Sequence, residues 1–148
     1  MNIFNLIIIC APMVAPDTMA AIIQVESSNN PYAIGVVGGQ LIRQPKNKNE
    51  AIATAKELEK SGWNYSVGIA QINKTNFKKY GLSIETAFEP CLNIKTGGRI
   101  LQQCYRTSLK DKLSRTEHIK RALSCYYSGK LNSKVGRSYA NRVFRASR

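Results

Sequence analysis

Acidic residues, histidine and long apolar runs are all scarce in this sequence of 148 residues. Nine Asp and Glu residues stand against 22 Lys and Arg residues, a formal net charge of +13. Such a charge predicts attraction to polyanions, namely nucleic acid, an anionic membrane or an acidic cell wall. No apolar run approaches the roughly 18 residues that a membrane-spanning helix needs. Ordinary Gly and Pro contents exclude collagen-like and low-complexity classes.

The sequence also lacks the patterns of common metal and cofactor sites. His118 is the only histidine and no two cysteines have C-x-x-C spacing, so we expect no bound metal. Glycine-rich phosphate-binding motifs are absent, so we expect no nucleotide cofactor. His118 follows Glu117 in a predicted first helical turn, and we expect it on the surface.

The number of cysteines is even, which in a small domain fits two disulfides and an exported protein. Four buried thiols are the alternative. The cysteines are Cys10, Cys91, Cys104 and Cys125.

Apolar periodicity predicts a mainly α-helical chain with one small extended element. The first stretch, residues 3–9, reads as a short helix packed on the core, with a degenerate export signal as the alternative. Residues 32–46 carry three glycines and Pro45 and are predicted to be a loop. The other predicted helices span residues 17–29, 47–62, 90–105, 115–129 and 137–146, and the extended element spans 63–69.

Glu26 is the residue that most needs a chemical explanation. It continues the helical stripe of Met19, Ile22 and Ile23, and an ionised carboxylate on an apolar face is costly. We therefore expect a raised pKa for Glu26 and a protonated side chain, as a general acid requires. The alternative is a carboxylate at a helix end that turns to solvent.

Four segments, taken in order, resemble the motifs of soluble lytic transglycosylases. The stretch between the first two, residues 34–66, is similar to the specialised transglycosylases of type IV secretion and conjugation systems. Tyr127 departs from the family pattern, which has Asn there. The four segments are ESSNNPYA at 26–33, GIAQIN at 68–73, FEPCLNIKTGG at 88–98 and ALSCYYSG at 122–129.

This resemblance implies a lysozyme-like α+β fold, mainly α, in a single domain over residues 1–148. It also implies a periplasmic enzyme that cleaves the MurNAc–GlcNAc β-1,4 bond of peptidoglycan to open the wall for a secretion channel. The expected partners are glycan strands and channel components, with no nucleic acid, no cofactor and a monomeric state.

The implied mechanism uses Glu26 first as acid and then as base, forming a 1,6-anhydro ring without water. Most glycosidases need two carboxylates. Of the other candidates, Asp17 and Glu85 lie outside the four segments, and Glu89 directly precedes the family pattern P-x-x-N-[IL]-x-x-G, which begins at Pro90. A mechanism with one carboxylate is therefore expected. The residues assigned to sugar binding and to support of Glu26 are Ser27, Gln71, Asn73, Tyr126 and Tyr127.

Three alternatives stay open at this point. A hydrolase of the goose-type lysozyme kind would share the fold and use water, a small basic nucleic-acid-binding domain would use the charge, and a catalytically silent factor would act in channel assembly. Placing Glu26 and Tyr126 at a common cleft predicts the disulfides Cys10–Cys104 and Cys91–Cys125, with Cys104–Cys125 as the alternative if the loops bend.

Overall fold

The structure, a computed structural model, describes residues 2–147. Within these residues eight α-helices accompany a small sheet of three strands, so the prediction of a mainly helical α+β fold is confirmed. None of the described helices is both long enough and apolar enough to cross a bilayer. The helices are α1 Ile3–Cys10, α2 Pro16–Ser27, α3 Lys48–Lys60, α4 Phe77–Tyr80, α5 Ile84–Ala87, α6 Pro90–Ser108, α7 Arg115–Ser128 and α8 Lys134–Ala146, and the strands are β1 Ile34–Val36, β2 Tyr65–Val67 and β3 Ile72–Asn73.

Helix starts follow local capping chemistry. The side chain of Asn47 accepts the backbone N–H of Glu50 at 2.9 Å, which caps α3 where the sequence predicts. Ser114 caps α7 in the same way. Two predicted starts are wrong by a few residues: Asp17 lies in the first turn of α2 rather than at its N-cap, and α8 begins at Lys134.

The chain divides into two compact units. The first unit contains the residues up to Val25 together with those from Gly98 onward, and the second contains residues 26–97. The boundaries fall within α2 and α6, so each of these helices contributes to both units. One domain over residues 1–148 stays a prediction.

The first unit is helical, and α7 packs against α8. Gly98 lies within α6, where a glycine costs up to about 1 kcal/mol relative to Ala. A side-chain carbon at Gly98 would lie 2.8 Å from the Met13 sulfur and 3.0 Å from Ala11 Cβ, so close packing explains the glycine at this position.

The predicted disulfide pairing is wrong. Cys104 of α6 is bonded to Cys125 of α7, with the two Cα atoms 5.7 Å apart, so neither Cys10–Cys104 nor Cys91–Cys125 can form. The prediction placed each cysteine by its distance from a helix end, whereas the way α6 and α7 pack decides which sulfurs meet. Cys10 and Cys91 are also disulfide-bonded.

His118 is buried rather than on the surface, with 8% of its area exposed. Its Nδ1 lies 3.3 Å from the hydroxyl of Ser108, and its ring is tilted against that of Tyr105 at a centroid distance of 6.3 Å. Because α7 turns this face of its first turn toward α6, a polar side chain near the helix start becomes part of the packed interior.

The second unit contains the sheet, whose strands are antiparallel and in the order β1–β2–β3. Strand β1 lies in the segment predicted to be a loop, so that part of the prediction is wrong. The side chain of Gln44 accepts the N–H of Ile34 at 2.8 Å and donates to its carbonyl at 3.0 Å, so it takes the place of a further strand at this edge. One face of the sheet is buried through Ile34, Tyr65, Val67 and Ile72.

Candidate active site

Glu26 lies in the last turn of α2, immediately after the buried part of that helix. Met19, Ile22 and Ile23 are fully buried, which confirms the predicted apolar stripe. Glu26 itself is only partly buried. Its exposure lies between the two alternatives raised by the sequence, a carboxyl group on the buried face and a carboxylate turned to solvent. The helix therefore holds one carboxyl group at the edge of its buried face.

The chain leaves α2 through two residues with left-handed backbone. Ser28 and Asn29 have φ of 52° and 68°, which residues other than Gly rarely adopt, and this conformation ends the helix. The side chain of Asn30 then accepts the N–H of Tyr32 at 2.9 Å. The segment after Glu26 is thus held in one specific turn, at a modest conformational cost of the kind found at functional sites.

Ser27 connects the end of α2 to the second motif. Its hydroxyl donates to the carbonyl of Ile69 at 2.7 Å, so the residue beside Glu26 is bonded to the segment 68–73. This contact orients the helix end. A contact between Ser27 and sugar stays a prediction.

Gln71 is held by its own backbone surroundings. Its φ is 54°, and its amide nitrogen donates to the carbonyls of Ala33 at 2.9 Å and Gly68 at 3.0 Å. A side-chain carbon at Gly35 would lie 2.8 Å from the amide oxygen of Gln71. Because the amide N–H groups of Gln71 donate to backbone carbonyls, the amide oxygen is the atom that can accept a hydrogen bond from a ligand.

Asn73 belongs to the less buried face of the sheet. Its amide nitrogen donates to the Asn64 side chain at 2.9 Å and to the Ser66 hydroxyl at 3.2 Å, and its oxygen accepts from Thr75. Ser66 pairs with Gly35 on one side and with Asn73 on the other. Gly35, Ser66 and Asn73 therefore form a row across the three strands.

Asn93 is a residue whose role the sequence did not reveal. It is fully buried in α6, its amide nitrogen donates to the carbonyls of Val67 at 3.0 Å and Ala87 at 2.7 Å, and its oxygen accepts the N–H of Ala70 at 2.7 Å. A side-chain carbon at Gly68 would lie 2.7 Å from Asn93 Cγ. Asn93 thus holds the segment that carries Gln71. The third motif segment, residues 88–98, contains Asn93, but the motif does not indicate what this side chain contacts.

Tyr126 and Tyr127 belong to the first unit, at the end of α7. Tyr126 is partly buried, whereas 49% of Tyr127 is exposed. The ring of Tyr127 is stacked on that of Tyr139, with centroids 4.5 Å apart and an angle of 11° between the planes. The hydrogen bonds given above join Ser27, Gln71 and Asn73 to other residues of the second unit. The stacked tyrosine pair belongs to the first unit.

The rival carboxylates of the second unit are engaged with lysines. Glu85 lies 2.9 Å from the Lys56 ammonium, and the hydrogen bond from Lys56 lowers the pKa of this carboxyl. Glu89 is paired with Lys48. Both carboxylates are about half exposed, so both ion pairs lie at the surface.

Comparison with known proteins identifies the family of this chain. The family model described as "Transglycosylase SLT domain" matches residues 6–144, so the chain belongs to the SLT transglycosylase family, whose fold is lysozyme-like. The resemblance drawn from the four motifs is thereby confirmed.

The relatives of this chain include proteins of secretion systems. "Type IV secretion system protein virB1" of Brucella abortus and its counterpart in Brucella suis are 55% identical over 121 residues, covering 81% of this chain and 51% of theirs. "Protein virB1" of Agrobacterium fabrum is 34% identical over 141 residues, covering 90% of this chain and 54% of its own. The chain thus spans about half the length of these relatives.

Proposed function

We propose that this chain is a peptidoglycan lytic transglycosylase that cleaves the MurNAc–GlcNAc β-1,4 bond and leaves a 1,6-anhydro-MurNAc end. Membership of the SLT family supports the reaction class. The names of the Brucella and Agrobacterium relatives support a role in opening the wall for a type IV secretion channel.

One observation carries the proposal most directly. The helix end that bears Glu26 is joined to the segment bearing Gln71 by the bond from Ser27 to Ile69, and Asn93 holds that segment through three hydrogen bonds. General acid catalysis needs a carboxyl group held in a defined place, and the fixed position of the helix end beside Glu26 supports that role. The negative end of the α2 dipole favours an uncharged carboxyl group there.

In the proposed reaction Glu26 acts twice. Its proton passes to the glycosidic oxygen as the bond from that oxygen to C1 of MurNAc breaks. The resulting carboxylate then takes the proton of the MurNAc C6 hydroxyl, whose oxygen forms the new bond to C1. The proton given up in the first step is recovered in the second, and no water is consumed.

A second catalytic carboxylate is not needed in this scheme. Hydrolases that retain or invert configuration place two carboxyl groups about 5 to 10 Å apart. Glu85 and Glu89 are engaged with Lys56 and Lys48. We propose that Gln71, Asn73, Tyr126 and Tyr127 contact sugar and that Ser27 supports the helix end.

Digestion of purified peptidoglycan by the Glu26→Gln variant tests the proposal. We expect release of 1,6-anhydro-muropeptides to fall by at least the roughly 10²–10⁴-fold typical of a lost acid–base group. The amide should leave the fold equally stable or slightly more stable, because it removes a partly buried acid. Glu57→Gln on the exposed surface of α3 is the matched control and should keep full activity.

The products distinguish the related alternatives. A folded Glu26→Gln protein that releases anhydro products at the wild-type rate would show that another group is catalytic. Wild-type products with new reducing ends in place of anhydro ends would identify a hydrolase of the goose-type lysozyme kind. Undigested peptidoglycan with the wild-type protein would favour the silent assembly factor.

We further propose that the protein works as a monomer in the periplasm and contacts components of the secretion channel. The name of the Brucella relatives supports a role beside a secretion channel. Co-purification of the full chain with channel subunits from periplasmic extracts is the expected result, and recovery from the cytoplasm alone would contradict the location.

A further inference from the structure

The side chain of Gln44 holds the outer edge of strand β1. Its amide oxygen accepts the N–H of Ile34 at 2.8 Å, and its amide nitrogen donates to the carbonyl of Ile34 at 3.0 Å. A primary amide carries the same donor and acceptor as a peptide unit, so one side chain satisfies both backbone groups of Ile34. The position of β1 is therefore fixed by Gln44 as well as by β2.

The segment that carries Gln44 is fixed in its turn. The side chain of Arg43 forms an ion pair with Glu50 of α3, and Pro45, directly after Gln44, is buried. The side chain of Asn47 then caps α3. Gln44 thus links β1 to the start of a helix, which gives the side chain a defined place from which to hold the strand.

The backbone that Gln44 fixes is also the backbone on which the amide of Gln71 lies. The carbonyl of Ala33 accepts a hydrogen bond from the Gln71 amide nitrogen at 2.9 Å. Gly35 leaves space for the Gln71 amide oxygen, because a side-chain carbon there would lie 2.8 Å from that oxygen. Ile34 stands between these two residues, so a shift of Ile34 would disturb both contacts of Gln71.

We propose that Gln44 is a positioning residue of the candidate active site, acting through β1 to hold the amide oxygen of Gln71 where it meets substrate. The inference rests on the proposed function, because it takes Gln71 to contact sugar. Strand β1 has only three residues and lies at the edge of the sheet, so β2 alone gives it little support. Functional side chains must be held to within about 0.5 Å, and a second support on the outer edge supplies this.

Protection of the sheet edge is the competing role for Gln44. Unpaired N–H and C=O groups at an edge can pair with a strand of another molecule, and Gln44 covers these groups on Ile34. Edge protection predicts that loss of Gln44 promotes aggregation and leaves Gln71 in place. Positioning predicts that Gln71 itself moves, so the experiment observes Gln71.

Side-chain amide signals in heteronuclear NMR spectra of the full chain report on Gln71 directly, and they are assigned by their absence from Gln71→Ala. The Gln71 amide nitrogen donates to two carbonyls, so its protons should exchange slowly with water. In Gln44→Ala we expect the signals to shift and their exchange to accelerate about tenfold, because one acceptor is no longer fixed. Gln40→Ala, the same change at an exposed position shortly before Gln44, is the matched control and should leave the signals unchanged.

The effect on the reaction is measured as kcat/KM for release of 1,6-anhydro-muropeptides from soluble peptidoglycan fragments. Gln44→Ala should lower kcat/KM about tenfold, because a displaced contact no longer orients substrate. Gln71→Ala removes the contact itself and should lower kcat/KM at least as far. The double variant should be no worse than Gln71→Ala, because Gln44 acts through Gln71. Gln40→Ala should keep the wild-type value.

Unchanged Gln71 signals in folded Gln44→Ala protein, or additive losses of kcat/KM in the double variant, would overturn the positioning role. Melting curves show whether the Ala variant is folded, and Gln44→Met, which keeps the length of the side chain, replaces it if it is not. The outcome for the proposed function is read separately. Wild-type protein that releases no anhydro products, but whose Gln71 signals respond to the loss of Gln44, would retain the positioning of Gln71 and remove the reaction.

Discussion

The two units of the chain differ most in how they carry charge. Residues 26–97 contain nine Lys and Arg residues and six acidic ones, a net charge of +3, whereas the remainder contains 13 and three, a net charge of +10. Four acidic side chains of the second unit form ion pairs with a basic residue of the same unit. These pairs are Arg43–Glu50, Lys48–Glu89, Lys56–Glu85 and Lys74–Glu59.

Because of this difference in charge, the two units would interact with a ligand over different distances. In the second unit the candidate site is built from neutral groups, with Ser27, Gln71 and Asn93 all making short hydrogen bonds to backbone. Such bonds act only at close range and position groups accurately. In the first unit the unbalanced positive charge acts at longer range, before a ligand is in contact.

The largest expected effect on folding comes from Gly68. Its φ is +84°, and a side chain would meet Asn93. We expect Gly68→Ala to lower the free energy of unfolding by about 3 kcal/mol, combining left-handed strain with overpacking. Gly81→Ala is the matched control, because Gly81 has φ of +71° and open space around it, and it should cost only about 1 kcal/mol. Equal losses in urea unfolding would mean that Asn93 does not hold this segment.

The Cys104–Cys125 disulfide tests how the first unit is held. It spans 21 residues, and its removal should cost about 3 kcal/mol by the loop-entropy estimate. Cys104→Ser, Cys125→Ser and the double variant should lose the same stability in urea unfolding, because all three lack one bond. Additive losses would contradict a shared bond between these cysteines.

Glu117 gives a smaller effect that depends on pH. Its bidentate bond from Arg137 lowers its pKa to about 2, from an ordinary value of 4.5. Because the folded pKa is depressed, the stabilisation is complete above about pH 4.5 and disappears as the pH falls toward 2. Glu117→Gln should cost about 1 kcal/mol at pH 7, reduced by the partial exposure of both side chains.

Unfolding curves of wild type and Glu117→Gln should therefore converge in acid. The Glu57→Gln variant, on an exposed face of α3, should match wild type throughout this range. A constant difference between wild type and Glu117→Gln from pH 7 to pH 2 would contradict the role of the ion pair.

Surface charge should have the smallest effect on folding. Reversing Lys130, Lys134, Arg142 and Arg145, all exposed, should change stability by less than about 0.5 kcal/mol. It should still weaken sedimentation with peptidoglycan sacculi severalfold, and binding by wild type should fall as salt shortens the Debye length below about 8 Å. Arg137 is left unchanged because Glu117 already engages it.

The matched reversal of exposed charge in the second unit sharpens this test. Reversing Lys46, Lys60, Lys78 and Lys79 changes the net charge by the same amount. We expect this variant to sediment as wild type does. Equal weakening by both sets would show that total charge matters, and that the difference between the units does not.

Local chemistry made several elements predictable. The N-caps Asn47 and Ser114 act on N–H groups three residues away, so a short window contains both partners. The stripe of Met19, Ile22 and Ile23 likewise repeats within two turns. In these elements both partners of each interaction lie within a few residues, and the pattern in the chain and the structure agree.

Long-range contacts escaped prediction. Strand β1 pairs with Val67 and its neighbours from about 30 residues away. Its own β-branched residues, Ile34 and Val36, favour a strand, but three residues that include Gly35 and are followed by two more glycines are too few to indicate one. In the sequence Asn93 is only one position of a motif. Its role follows from its hydrogen bonds to Val67, Ala70 and Ala87. Such partners are set by packing, which spacing along the chain does not encode.

The sequence by itself determined the helical class, the family and the segments that carry Glu26 and Gln71, because residue type and local order suffice for these. Only the tertiary structure decided that Cys104 bonds to Cys125, that His118 is buried and that Tyr127 stacks on Tyr139. Each of these depends on the relative placement of two helices. That placement follows from the fit of whole side-chain surfaces, and no single residue or spacing specifies it.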